Sequence, residues 1–329
     1  MTPLKCTLFS KFNREEKIDI FFSTTWCRDR LYTSENPNDI LKFYDTFSNR
    51  DELIQWMKER PKGRAEIIEV EGDKEVIVVI PTADFTGKYA EECRENIFKG
   101  LHIIFVESGY PRDPYFNYAH NCNVGIKKAM EYNPKWIVLS NDDVVLGNIK
   151  ALRDTLSNLS GSFYVARNKK SEVYGKIFIV NAPIYFFYSI YLLLRGEPSN
   201  CKLGLRMIFK GLWSDNRLLH SAEGTFAYRL LKMFAKPLAY HYRNFADFGI
   251  FKADLLKRYP FNESFINGEE DNELVIRMLK DGIGAEILDF GSESLGGGGN
   301  TMGSGRSPTR RARDFANMIM LYHLVRSYE

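Results

Sequence analysis

The stretch Trp136-Ile137-Val138-Leu139-Ser140-Asn141-Asp142-Asp143-Val144-Val145 constrains this chain more than any other. Its apolar start is β-branched and aromatic, without alternation. Such a run suits a strand covered on both faces of a parallel sheet. It stops at Asn141, Asp142 and Asp143, which do not stay in an apolar interior unpaired. In an open α/β sheet, ligands bind at the carboxyl ends of the strands. Hard oxygens presented there suit Mg²⁺ or Mn²⁺, and such an ion suits a diphosphate. The same residues also fit an Asx turn that caps the next helix, with Asp142 or Asp143 as N-cap. This stretch alone leaves both readings open.

The neighbouring chain alternates strands and helices from residue 75 onward. Residues 76–82 and 101–106 are continuous apolar runs ending in Thr82-Ala83-Asp84 and Glu107-Ser108. Helical patterns occupy 86–99, 117–132 and 148–159, and 162–167 is a further strand. This order predicts an α/β fold with a mostly parallel, Rossmann-like central sheet flanked by helices. Three polar strand ends would then line one edge, as a nucleotide pocket requires. Further on, 250–259 is expected to be a short helix stopped by Pro260, 269–280 a helix, 285–290 a strand and 309–328 an amphipathic helix.

Residues 1–73 form an N-terminal extension packed on a main domain of 74–329, whose halves are 74–167 (nucleotide side) and 168–329 (acceptor side). Within the extension, 18–24 and 64–70 suit strands, and 38–47 and 50–60 suit helices. In the last of these, Asn49 or Asp51 is the cap and Leu53, Ile54, Trp56 and Met57 are the buried stripe. The middle, 177–242, is irregular, aromatic and apolar. Its most apolar run, 182–194, is too short to span a bilayer. It suits a buried helix or the wall of an acceptor site, with peripheral membrane contact as the alternative.

With 329 residues and 44% hydrophobic content there is ample core. Lys and Arg (45) nearly balance Asp and Glu (42), which excludes a general nucleic-acid binder. Cys6, Cys27, Cys93, Cys122 and Cys201 are scattered and odd in number, without CxxC spacing. They suit reduced thiols in a cytoplasmic protein, in solution or at the inner face of a membrane.

A second acidic cluster is Asn267-Gly268-Glu269-Glu270-Asp271-Asn272-Glu273-Leu274. Acids at a helix start suit the macrodipole, so a charge-compensated helix start explains it. The apolar-Asn-Gly turn before it and Arg277 after it favour more: a carboxylate near a cation, able to take a proton from a hydroxyl.

Residues 75–143, followed by Phe248-Gly249-Ile250-Phe251 and Pro260-Phe261-Asn262-Glu263-Ser264-Phe265, and then by Glu-Asp-x-Glu-Leu-x-x-Arg from Glu270 to Arg277, resemble a family 2 glycosyltransferase of the GT-A fold. Asn123-x-Gly125 matches as well. The resemblance covers about two-thirds of the chain. It implies a nucleotide-diphosphate sugar donor, UDP- or GDP-linked, and a glycan, lipid-linked or protein acceptor. Pro81, Thr82 and Asp84 would surround the nucleotide. Glu107 stands where the family has an Asp on the base. Asn141, Asp142 and Asp143 replace the Asp-x-Asp motif, with Asp143 as the ligand of Mn²⁺ or Mg²⁺ and Asp142 lining the pocket. Asp271 would be the general base of an inverting displacement, with Glu270 helping to hold the acceptor. Arg277, Asn123 and Asn141 would contribute to substrate binding. After the glycine-rich 295–305 stretch, Arg306, Arg310 and Arg311 would clamp the leaving diphosphate, although a solvated basic run explains them equally well. The loop lacks the histidine that some members carry. His220 and His241 suit structural roles. A nucleotidyltransferase is disfavoured, because no basic glycine-rich loop follows the first strand. A binding protein without turnover stays open.

Overall fold

The computed structural model describes residues 28, 42–108, 115–168, 174–194, 205, 212, 216–222, 226–234, 236–243, 248–294 and 308–328. In chain order the elements are α1 (Arg50–Glu59), β1 (Glu66–Val70), β2 (Asp73–Thr82), α2 (Lys88–Glu92, continued by a π-turn over Cys93–Ile97), β3 (Leu101–Glu107), α3 (Tyr118–Met130), β4 (Trp136–Ser140), β5 (Val144–Leu146), α4 (Ile149–Leu156), β6 (Phe163–Asn168), β7 (Tyr174–Asn181), α5 (Ala182–Leu194), β8 (Asn216–Ala222), α6 (Phe226–Phe234), β9 (Lys236–Arg243), β10 (Phe248–Lys252), α7 (Ala253–Arg258), α8 (Glu270–Lys280), β11 (Glu286–Ser294) and α9 (Pro308–Tyr328).

The three apolar runs are β2, β3 and β4, parallel and adjacent: Val79 of β2 stands opposite Ile104 of β3 and Leu139 of β4. Their side chains alternate between two cores. Ile77, Val79, Ile104, Val106, Ile137 and Leu139 join a core with Cys122 and Ile126 of α3. Val76, Val78, Ile80, Phe105, Trp136 and Val138 join the opposite core with Cys93 and with Leu152 and Leu156 of α4. Both faces are covered, which is why the runs read as continuous rather than alternating.

The whole sheet is mixed rather than mostly parallel. Its order is β1-β3-β2-β4-β10-β6-β11-β5. Only β2–β3, β2–β4 and β6–β11 pair parallel. β10 wedges antiparallel between β4 and β6, aligning Phe251 with Ile137 and Phe163. An antiparallel strand requires no helical crossover, so β10 can enter directly from the long middle segment. The expected 250–259 helix is therefore corrected: Ile250 and Phe251 belong to β10, and the helix is α7. β1 pairs antiparallel with β3, making that part of the extension an edge strand of the main sheet. Asn49 caps α1, and Leu53, Ile54 and Met57 are buried against the α9 side of the core. The 18–24 strand lies outside the described residues.

The middle segment is not irregular. β8, β7 and β9 form a three-stranded antiparallel sheet. β8 lies beside α9, and β9 beside α8. Nor is the apolar 182–194 run a buried helix. It is helical, as α5, but Phe186, Phe187, Ile190, Leu193 and Leu194 are exposed. No helix among the described residues is long and apolar enough to cross a membrane. Cys93 and Cys122 are buried free thiols.

Gly125 lies where α3 crosses the sheet. A Cβ there would meet Val79 Cγ1 at 2.4 Å and Val106 Cγ2 at 3.0 Å. Helix propensity alone favours Gly125→Ala by about 1 kcal/mol. Overpacking opposes it by about 1–3 kcal/mol. We predict net destabilisation in urea unfolding; a more stable variant would show that the helix–sheet contact is looser than described.

Candidate functional site

β2 and β3 end side by side, with Thr82 opposite Glu107. Asn141, Asp142 and Asp143 follow the end of β4, the neighbour of β2. The Thr82 hydroxyl donates to Asp142 Oδ2 at 2.8 Å, and the Cys93 thiol donates to the Asp142 carbonyl at 3.4 Å. Buried Glu107 accepts the Phe85 N–H at 2.8 Å. The Ser108 N–H donates to the Thr82 carbonyl at 2.9 Å. Asp84, exposed, accepts from the Thr86 N–H and hydroxyl at 3.0 and 2.7 Å. Glu107 and Asp84 thus shape the turn after β2. Pro81 is buried, and the β2–β4 register ends at Val79–Leu139, before it.

Neither Asp142 nor Asp143 caps α4. The strand β5 intervenes, and Asn148 is the cap, accepting the Ala151 N–H at 2.9 Å. The Asx-cap explanation therefore fails here. Both acids are partly buried. Burial pushes the Asp142 carboxyl up to about 6, with the Asp143 charge adding to the shift and the Thr82 bond opposing it. Burial likewise raises Asp143. Two hard carboxylates held in this state suit a cation, whose charge would restore their ionisation. Among the described residues, no group of three or more His, Cys, Asp or Glu converges as a metal cage. A corner of few ligands fits Mg²⁺ or Mn²⁺ bound jointly with a diphosphate and water.

The second acidic corner begins α8. Glu269 occupies the N-cap position at φ +70° and makes no side-chain cap bond. Asn267 also has positive φ, +48°. Two non-glycine residues in this region within three positions mark a turn held by its surroundings. Those surroundings are hydrogen bonds to the start of α3. Asn267 accepts the Tyr118 N–H at 2.7 Å and donates to the Phe116 carbonyl at 2.8 Å. Asn117 donates to the Glu263 carbonyl at 2.8 Å. From the far side, Asn317 of α9 pairs with both backbone groups of Ile266.

Glu270 is buried and accepts the Gly268 N–H. Burial, then the Asp271 charge, pushes its carboxyl up to about 8. Asp271 is only partly buried. Tyr118 and Cys122 lie beside this pair: burial first, then the two acids among other contacts, hold both well above their ordinary values. Sequence reading missed Tyr118 and Cys122. They share one face of α3 at i, i+4 spacing, but nothing local joins them to acids about 150 residues away.

Both corners stand at the same edge of the sheet. Asn121, in the first turn of α3, donates to the Val106 carbonyl near the end of β3. Asp142 bonds to Thr82 and Cys93, on the α2 side, whereas Glu270 and Asp271 adjoin α3 on the other face. Two cavities among the described residues lie elsewhere. One is lined by Asp154, Asn158, Tyr164 and Glu286, the other by Asn123, Ile126, Lys127 and Leu256. Asp143 and Asp271 line neither.

Two expected binding residues are engaged in structure. Arg277 is held by Glu273, four residues before it on the same helix. Its guanidinium pairs with buried Glu273, Nε to Oε1 at 3.0 Å, and donates to the Pro260 carbonyl. The Tyr328 hydroxyl also donates to Glu273. Six positions along a helix do not return to one face, whereas four do, so Glu273 wins. Asn123 donates to the Phe261 carbonyl at 3.0 Å and to Glu263 Oε1 at 2.9 Å, clasping the chain before α8. Arg306 and the glycine-rich stretch lie outside the described residues. Of Arg310 only the backbone, in the first turn of α9, is described. His220 and His241 fall on β8 and β9. No family model matches the chain, and no curated protein is similar to it in sequence.

The folded chain holds the Glu270 proton more tightly than an unfolded chain, where the ordinary value is 4.5. That stability is fully present below the unfolded value and is lost as pH rises through about 8. Glu270→Gln keeps a neutral group there. Urea unfolding is expected to find the variant more stable than the parent at about pH 9 and little changed at about pH 4. A variant less stable at the higher pH would contradict the burial of a protonated acid.

Proposed function

We propose that this chain is a metal-dependent, inverting glycosyltransferase of the GT-A fold, moving a sugar from a nucleotide-diphosphate donor to an acceptor hydroxyl. One observation supports this above all: two acidic corners, Asp142–Asp143 and Glu270–Asp271, flank the carboxyl edge of parallel strands from its two faces. Ligands bind in the crevice outside the carboxyl ends of such strands, and the two corners differ in chemistry as the reaction requires.

In this reading Asp143, with Asp142 beside it, holds Mn²⁺ or Mg²⁺, which supplies charge stabilisation to the departing diphosphate. Thr82 orients Asp142 by its 2.8 Å bond. Glu107 and Asp84 set the turn against which base and ribose rest, Glu107 through the Phe85 N–H and Asp84 through Thr86. Asp271 takes the proton of the acceptor hydroxyl as its oxygen attacks the anomeric carbon. The bond from that carbon to the diphosphate oxygen breaks, and its electron pair leaves with the nucleoside diphosphate. Buried Glu270 keeps its own proton at neutral pH, so Asp271 acts without a second negative charge pressed against it. Arg306 and Arg310 are assigned to the diphosphate. The small β8-β7-β9 sheet, beside α8 and α9, borders the acceptor side.

Calorimetric titration of UDP and GDP, with and without Mn²⁺, tests the division of labour. Asp143→Asn is expected to weaken Mn²⁺-dependent nucleotide binding. Asp271→Asn is expected to retain binding while donor turnover falls about a hundredfold or more. Equal binding by the parent and Asp143→Asn contradicts the metal assignment. Nucleotide binding with no consumption of any donor sugar by the parent protein identifies a binding protein instead.

A further inference from the structure

Two apolar helices of the middle segment stand exposed together. α5, Ala-Pro-Ile-Tyr-Phe-Phe-Tyr-Ser-Ile-Tyr-Leu-Leu-Leu, contains no charged residue. A helix apolar on all sides belongs in a core or in lipid. This one packs on the core only through the face of Ile184, Tyr188 and buried Ser189, and the rest stands open: Phe187 is 67% exposed and Leu194 81%. The adjoining α6 is amphipathic. Leu231 is buried, while Phe226, Met233 and Phe234 are 60, 73 and 59% exposed. The helices meet where the rings of Tyr191 and Phe226 lie 5.5 Å apart. The result is one apolar surface drawn from two elements, with exposed Arg229 and Lys232 on α6 beside it.

Charge identifies what covers it. Residues 174–243 carry ten Lys and Arg against three Asp and Glu, a surplus of seven. The whole chain has a surplus of three, so the remainder is net acidic. The positive charge is thus concentrated in the segment bearing the exposed apolar helices. A second copy of this chain would bring the same positive segment against itself. An anionic lipid surface complements both the charge and the apolar side chains. α5 is 13 residues long, about 20 Å, short of the roughly 30 Å hydrocarbon core. It can lie in the interface but cannot cross it.

We propose that α5 and α6 form a peripheral membrane-docking surface, inserting Phe187, Leu194, Phe226 and Met233 among the acyl chains of an anionic bilayer while Arg229 and Lys232 meet its headgroups. This stands whether or not the glycosyltransferase reading holds.

Co-sedimentation of the full chain with vesicles of phosphatidylcholine, with and without phosphatidylglycerol, tests it. The protein is expected to pellet with the anionic vesicles and far less with neutral ones, and salt is expected to weaken the anionic binding. Phe187→Ser with Leu194→Ser should lower partitioning about tenfold or more. Arg229→Glu with Lys232→Glu should lower it at least about fivefold per residue on anionic vesicles only. All four residues are exposed, and circular dichroism checks that the variants remain folded. If the serine variant misfolds, the charge variant and the salt series still decide. Parent protein left in the supernatant with both vesicle types overturns the proposal. So does sedimentation equilibrium showing a dimer that the serine substitutions dissociate, because the surface then belongs to a second copy.

Discussion

A strand covered on both faces can show polar groups only where it ends. β2, β3 and β4 are such strands, packed between the core around α3 and the core around Cys93 and α4. Their bodies are closed to chemistry. Their carboxyl ends must therefore satisfy Thr82, Glu107 and Asp142 within a few residues, and they do so against one another. Thr82 holds Asp142, Glu107 holds the Phe85 amide, and Ser108 returns to the Thr82 carbonyl. The polar edge of the molecule is a consequence of its apolar centre.

The second corner is built by a different means. No strand end supplies Glu270 and Asp271. A hydrogen-bonded loop does, clasped by Asn117 and Asn123 on α3 and by Asn317 on α9, with Asn267 and Glu269 at positive φ. Strain of this kind is kept only where the surroundings overdetermine it. Its effect is to bury Glu270 at the head of a helix while leaving Asp271 partly open. Arg277, spent on Glu273 and the Pro260 carbonyl, locks the helix rather than the acid.

The parallel centre was legible because a run such as Val76-Ile77-Val78-Val79-Ile80 admits few arrangements, and its polar end marks the edge. The antiparallel wedge β10 was not. Five residues, Phe248–Lys252, lead straight into a helix, and their local pattern continues it. Only pairing with Ile137 and Phe163 makes them a strand. The partner of Arg277 was not legible from its distance to Asp271: a cation six residues from that acid has a nearer one, Glu273, four residues away. The exposure of α5 was unreadable for the opposite reason, since a sequence apolar on all sides looks the same in a core and on a surface. Tyr118 and Cys122 show the limit of local pattern, because the core that buries them and the acids that add to their shift are assembled from distant segments, the acids from α8.

The proposed chemistry depends on one spatial claim, that a cation held at the end of β4 faces the acid that begins α8 across the same strand ends. Anomalous diffraction at the manganese edge, from crystals grown with Mn²⁺ and UDP, locates the ion directly. The account predicts a peak on the Asp143 carboxylate with the diphosphate between it and Asp271. A peak bound elsewhere, or UDP seated away from the Thr82–Glu107 edge, would contradict it.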